Sequence, residues 1–231
     1  RKCFKMSKNP ALYFYLIAAF FFLLAIFFRN EEFLLVTKPI IIPSIMFHYY
    51  IVSKDKINGF FVFSLVLFFV GDMLFLINFD DFYIIGLLIF LLPYLFVLYF
   101  LFQDLRQIIA NRKNRKIDYT FIIIFLILVN LFVTVLINLD SKSIIEKLFL
   151  LLFGIALVIL GVLATVIYFH SSIKRNFYLV ITISTFIMSD LFFIINKNVQ
   201  NLLVFELING FFQTASYYFY VTYFLHRNIK E

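Results

Sequence analysis

The chain of 231 residues is 64% hydrophobic and 14% charged, and it contains 36 Phe but no Trp. Soluble domains usually contain about 45–50% apolar and about 25% charged residues, so this composition excludes a soluble enzyme and a disordered chain. The single cysteine, Cys3, excludes an intramolecular disulfide framework, and no Cys/His cluster with metal-ligand spacing is present. The expected class is therefore a transmembrane bundle without a metal or cofactor.

Polar breaks divide the chain into eight apolar segments, each long enough to cross a hydrocarbon core of about 30 Å as a helix. The alternating segments of about ten residues that are typical of a membrane β-barrel are absent. The sequence therefore predicts an all-α polytopic membrane bundle of eight transmembrane helices in a single domain, residues 1–231. The expected spans are Ala11–Phe28, Phe33–Val52, Asn58–Ile77, Phe82–Phe102, Tyr119–Leu139, Ile144–Phe169, Phe177–Ile195 and Leu202–Leu225.

The basic residues are distributed unevenly between the two sides of this arrangement. Fifteen of the 20 Lys and Arg residues lie at the termini and in the loops after spans two, four and six; four lie in the alternate loops. By the positive-inside rule, both termini are expected in the cytoplasm. The net charge of +7 is then explained by orientation rather than by binding of nucleic acid. The densest basic loop, from Arg106 to Lys116, is expected to be a topology anchor.

A short internal repeat links the ends of spans three and seven. Gly71–Asn78 and Ser189–Asn196 share four identical residues of eight at an offset of 118 residues. The same offset places span four over span eight, which predicts two four-helix halves, residues 11–102 and 119–225, related by an axis along the membrane normal. Chance similarity between apolar helices is the alternative explanation. In both cases Asp72 and Asp190 occupy matching positions.

Beyond the first four residues of each predicted span, four Asp, Glu, Lys or Arg residues lie inside the spans, namely Lys38, Asp72, Asp190 and Glu206. Each costs at least about 2.5–3.5 kcal/mol at a helix centre, so a functional role is the default interpretation. Counting from the span ends places all four at one level, in the non-cytoplasmic third of the bundle. Lys38 and Glu206 could instead extend to the interface. The aspartate side chains are short, which makes Asp72 and Asp190 the candidate catalytic residues.

Two carboxylates at one level of a bundle can share one proton, so that one is an acid and the other a base. This arrangement suits the hydrolysis of an acid-labile bond without a metal or a nucleophilic side chain. The same residues could instead relay protons or bind a cation in a transporter. Asn209 and Gln213 on span eight are candidate polar contacts to a substrate or across helices.

Several short motifs lie at the ends of the predicted spans in a recognisable order. They are Lys38-Pro39 in span two, Gly71-Asp72 in span three, Gly86 with Phe90 in span four, and Ser189-Asp190 in span seven. In this order and placement, the chain resembles the YhhN-type lysoplasmalogenases over essentially its whole length. These are integral membrane proteins of about this size with eight predicted helices. At Pro93-Tyr94 the chain departs from the family, whose members often carry a His there.

The resemblance implies a hydrolase that cleaves the vinyl ether bond of lysoplasmalogens. The products would be a fatty aldehyde and glycerophosphoethanolamine or glycerophosphocholine, with no cofactor. Asp72 and Asp190 match the family's motif aspartates, and the expected substrate-binding residues are Lys38, Tyr94, Glu206, Asn209 and Gln213. The expected partners are a lysophospholipid and the lipid bilayer of a bacterial cytoplasmic membrane. A proton-coupled or small-solute transporter and a non-catalytic lipid-binding member of the family are the alternatives.

Overall fold

A computed structural model describes residues 9–54, 56–110, 120–137, 144–198 and 201–227. Within these ranges the chain forms eight α-helices and no β-strand, which confirms the all-α prediction. The helices are α1 (Pro10–Phe27), α2 (Glu31–Ser53), α3 (Gly59–Ile77), α4 (Phe79–Ala110), α5 (Thr120–Ile137), α6 (Ile144–His170), α7 (Lys174–Asn198) and α8 (Leu203–Arg227).

Six of these helices, α1 to α4, α6 and α7, are long and apolar enough to cross a membrane, as expected of a multi-pass membrane protein. Helix α5 contributes a shorter apolar stretch, Ile122–Val135. Helix α8 is more polar because residues such as Asn209 and Gln213 line the interior of the bundle. The count of eight spans and the side on which the termini lie stay predictions.

Seven of the described helices close into a ring. Helices α1, α2, α3, α4, α6, α7 and α8 each pack on the next, and α8 returns to both α1 and α2. Helix α5 packs against α6. Its side chains Leu128 and Phe132 reach close to Gly161 and Gly154 of α6, where an added Cβ would collide with them.

A column of aromatic rings fills the centre of this helix ring. The ring centroid of Phe68 lies 5.3 Å from that of Phe186 and 5.6 Å from those of both Tyr94 and Tyr217. Further along, Phe61 stacks on Phe224 at 4.0 Å. Aromatic pairs of this kind contribute about 0.5–1.5 kcal/mol beyond the burial of their area. The aromatic column consists of eight rings, each at most 2% exposed: Phe61, Phe68, Tyr94, Phe100, Phe186, Tyr217, Tyr220 and Phe224.

Helices α3 and α7 meet through residues that are 118 positions apart. Phe68 stacks on Phe186 with an interplanar angle of 19°, and Phe75 stacks on Phe193 with an angle of 20°. The same offset relates the two candidate aspartates. The two stacked pairs are therefore equivalent positions of the internal repeat. The division into two halves, 11–102 and 119–225, stays a prediction.

Helix α4 continues to Ala110, well beyond the expected end of span four at Phe102. The basic stretch from Arg106 therefore begins inside a helix rather than in a loop, and residues 111–116 lie outside the described residues. Beyond the expected end, α4 carries one half of an ion pair that the span pattern did not reveal. Asp104, which is 1% exposed, accepts a hydrogen bond from Arg227 Nε at 2.9 Å.

This ion pair joins the C-terminal ends of α4 and α8. Tyr223 Oη donates to the second Asp104 oxygen at 2.6 Å, and Arg227 Nη2 donates to Gln103 Oε1 at 2.8 Å. The guanidinium carbon of Arg227 lies 5.1 Å and 5.3 Å from the ring centroids of Phe100 and Phe224. Arg227 therefore covers the end of the aromatic column that lies nearest the C-terminal ends of α4 and α8.

We predict that Arg227→Met strongly destabilises the bundle. The change keeps the length of the apolar stem but leaves the Asp104 charge buried without its partner, which typically costs about 3–5 kcal/mol. Thermal or denaturant unfolding of the purified protein in detergent measures the loss. Arg106→Met is the matched control, because Arg106 lies near Asp104 at the C-terminal end of α4 but is exposed. Equal stability of the two variants would show that the ion pair does not anchor α8 to α4.

Candidate active site

A cavity of about 950 Å³ lies at the end of the bundle opposite residues 9 and 227, the first and the last that the structure describes. Residues from α1, α2, α3, α4, α6, α7 and α8 line it, so it lies inside the helix ring. One part of its wall is polar and contains both candidate aspartates with Lys38, Asn209 and Gln213. Another part is apolar: Phe22, Ile26, Leu34, Leu76, Ile84, Leu87, Phe193 and Ile194.

Asp72 is held by three donors from two other helices. Its side chain on α3 is buried, and it accepts hydrogen bonds from Gln213 Nε2 at 2.7 Å and Tyr217 Oη at 2.8 Å. The ammonium group of Lys38 forms an ion pair with Oδ1 at 3.2 Å. A buried carboxylate is tolerated only when it is paired and hydrogen-bonded, and these contacts meet that requirement on both oxygens.

Asp190 on α7 is half-buried and less extensively bonded. Tyr94 Oη donates to Oδ2 at 2.6 Å, while Oδ1 has no described partner. The preceding residue, Ser189, donates its hydroxyl to Asn209 Oδ1 at 3.0 Å. This bond holds the Asn209 side chain at the cavity wall, which Asp190 also lines.

The two aspartates are supported reciprocally across the bundle. Tyr94 on α4 bonds to the aspartate of α7, and Tyr217 on α8 bonds to the aspartate of α3. Both tyrosine rings lie 5.6 Å from Phe68, which separates them. The floor of the cavity is therefore the upper end of the aromatic column.

The two aspartates differ in the side chains that bond to them. Of the two aspartates, Lys38 and Gln213 bond to Asp72 alone, so a cation and an amide accompany one carboxylate and not the other. Asp72 is equipped as a fixed anion. Asp190 has an oxygen available to carry or accept a proton.

Further charges line the part of the cavity that lies farthest from the aromatic column. Glu206 lines its wall and interacts electrostatically with Arg29 and Lys38. Glu146 and Lys197 also line it, together with the amides of Asn196 and Asn201. Among the described residues, no group of three or more His, Cys, Asp or Glu side chains is arranged to hold a metal ion.

The structure brings six of the seven predicted site residues to the cavity wall: Lys38, Asp72, Asp190, Glu206, Asn209 and Gln213. The seventh, Tyr94, is 1% exposed and supports Asp190 from below the cavity. Helix α7 continues past the expected end at Ile195 to Asn198, so Asp190 lies deeper from the helix end than the sequence predicted.

Sequence reasoning missed Tyr217, which donates to Asp72. The sequence contains one sign of this role: Tyr217 follows Gln213 by four residues, so both lie on the same face of the helix. The two side chains also contact each other, with Gln213 Nε2 at 3.3 Å from Tyr217 Oη. No family model, characterised protein or solved structure matches the chain, so the site is interpreted from its own residues.

We predict that Tyr217→Phe lowers the free energy of unfolding by about 1–3 kcal/mol, because a buried carboxylate loses one of its donors. Unfolding in detergent measures the change. Tyr99→Phe is the matched control, since Tyr99 is 50% exposed on the outer surface of α4. If Tyr217→Phe is as stable as Tyr99→Phe, the tyrosine does not stabilise the Asp72 charge.

Proposed function

We propose that the protein is a membrane hydrolase that cleaves the vinyl ether bond of lysoplasmalogens. The observation that carries this proposal is the pair of differently supported carboxylates in one amphipathic cavity. The proposed setting is a bacterial cytoplasmic membrane that the chain crosses eight times, with both termini in the cytoplasm.

The cavity suits an amphiphile with one long chain. Its volume of about 950 Å³ is at the upper end of the range of about 300–1,000 Å³ for small-molecule sites. The apolar wall would take the start of the alkenyl chain. The polar wall would take the glycerol and phosphate groups. A lysoplasmalogen carries the vinyl ether bond between these two parts, at the level where both aspartates lie.

Asp190 is proposed to be the general acid. With Oδ2 accepting from Tyr94, the proton resides on Oδ1 and faces the cavity. The acid transfers this proton to the second carbon of the alkenyl chain, and the electron pair of the C=C bond forms the new C–H bond. The first carbon and the ether oxygen then share the positive charge of an oxocarbenium ion.

Asp72 is proposed to stabilise that cation as a fixed anion. Water adds to the first carbon and gives its proton to the Asp190 carboxylate, which restores the acid. The resulting hemiacetal loses its hydroxyl proton, and its bond to the glycerol oxygen breaks as that oxygen takes up a proton. The products are a fatty aldehyde and a glycerophosphodiester, and water is the only co-reactant.

Three further residues have proposed roles in binding and positioning. The Lys38 ammonium group has three donors and uses one for Asp72, so the others can bind a phosphate oxygen. The Asn209 amide can donate to the attacking water or to the ether oxygen. Tyr94 would position Asp190 rather than contact the substrate, whereas Glu206 and Gln213 line the path of the polar part.

The aromatic column favours an enzyme over a transporter. Transporters give access to a site near the bilayer midplane from each side in turn. Here a continuous set of buried rings lies between the cavity and the terminal end of the bundle. An open path through it would require the rearrangement of several packed aromatic pairs.

We predict that Asp190→Asn and Asp72→Asn each reduce aldehyde release from lysoplasmenylethanolamine by at least about 100-fold, because proton transfer or cation stabilisation is lost. Aldehyde is measured with purified protein in detergent. Asp81→Asn is the matched control, since Asp81 is exposed in the first turns of α4 and does not line the cavity. Undiminished turnover in either site variant would refute the mechanism. Solute uptake by the wild type without hydrolysis of any lysolipid would favour a transporter.

A further inference from the structure

The cavity lies at one end of the bundle, and residues 9 and 227, the first and the last that the structure describes, lie at the other. The residues that line the cavity come from the second half of α3 and α7 and from the first half of α2, α4 and α8. At the other end, Asn9 before α1 bonds to His48 near the end of α2, and Arg227 near the end of α8 bonds to Asp104. Every helix of the ring therefore contributes one end to the cavity and the other end to the opposite face. We call this face, which contains Asn9, His48, Asp104 and Arg227, the terminal face.

The terminal face is closed by side chains that already have partners. Tyr220 Oη and Ser64 Oγ bond to each other at 3.0 Å within the aromatic column, where both are buried. Below them, Tyr49 and Phe61 lie 4.6 Å apart, and Arg227 covers Phe100 and Phe224. A phosphate head group that entered from this face would have to displace rings and break a buried ion pair.

At the opposite end of the bundle, polar side chains line the cavity along its depth. Polar groups on the cavity wall continue from Asp72 at the floor, through Asn209 and Glu206, to Asn201 at the start of α8. Asp72 lies five residues before the end of α3, which corresponds to roughly 8 Å along the helix. If the end of α3 lies at the membrane surface, that depth corresponds to the boundary between head groups and hydrocarbon, where the first carbons of a lysolipid chain lie.

We propose that the cavity takes its lysolipid only from the leaflet opposite the chain termini and releases the glycerophosphodiester to that same side. This inference rests on the proposed hydrolase function and adds the direction of substrate supply. With both termini in the cytoplasm, the substrate leaflet is the outer leaflet of the membrane. The class of reaction that supplies the substrate is the removal of the second acyl chain from a plasmalogen in that leaflet.

Activity in oriented vesicles tests this proposal. The full chain with a protease-cleavable C-terminal tag is reconstituted, and tag cleavage from outside gives the fraction of molecules with external termini. Lysoplasmenylethanolamine is added outside, and the initial release of glycerophosphoethanolamine into the external medium is measured. We expect the initial rate of release to rise with the fraction of molecules whose termini lie inside the vesicle. Vesicles with all termini inside should be at least about tenfold faster than vesicles with all termini outside. Equal rates in both orientations, with full activity in detergent, would overturn the sidedness alone. No activity in detergent would overturn the hydrolase function and this inference together.

Labelling with a membrane-impermeant maleimide provides a readout that does not depend on activity. In a Cys3→Ser background, Asn209→Cys should be labelled from the side opposite the termini and not from the terminal side. Lys56→Cys, exposed between α2 and α3 at the terminal face, is the control that should label only from the terminal side. Ser64→Cys, inside the column, should resist labelling from both sides. Labelling of Asn209→Cys or Ser64→Cys from the terminal side would overturn the proposal.

Discussion

The buried charge of Asp72 is the constraint on which the arrangement of the bundle depends. An uncompensated carboxylate in an apolar helix bundle would cost several kcal/mol, so other helices must bring donors to it. Lys38 of α2 and both Gln213 and Tyr217 of α8 meet that need. These contacts hold α2, α3 and α8 in register at the cavity, and α8 in turn sets the position of the aromatic column.

The column and the cavity are two results of the same packing. Phe68 lies four residues before Asp72, and Phe186 lies four residues before Asp190, so each ring is one helical turn below its aspartate. Stacking of these two rings brings α3 and α7 together and places both carboxylates above them. The buried rings fill the bundle on one side of the two aspartates, and the cavity lies on the other side.

Much of this site could be predicted because charge is rare in an apolar sequence. Lys38, Asp72, Asp190 and Glu206 were recognisable from their surroundings, and counting from span ends placed them at one level. The tyrosine partners were not predictable in the same way, since the chain has 14 tyrosines and helix rotation decides which of them faces inward. The length of α4 was missed because Asp104 and Arg227, near the ends of their spans, resemble ordinary loop charges.

In the proposed reaction, the acid form of Asp190 transfers its proton to the second carbon of the alkenyl chain. Hydrolysis of lysoplasmenylethanolamine in D₂O tests it most directly, with the aldehyde reduced at once by borohydride and analysed by mass spectrometry. If this proton transfer takes place, we expect one solvent deuterium on the second carbon of the released chain. Release of the aldehyde without carbon-bound deuterium, or no release of aldehyde, would contradict it.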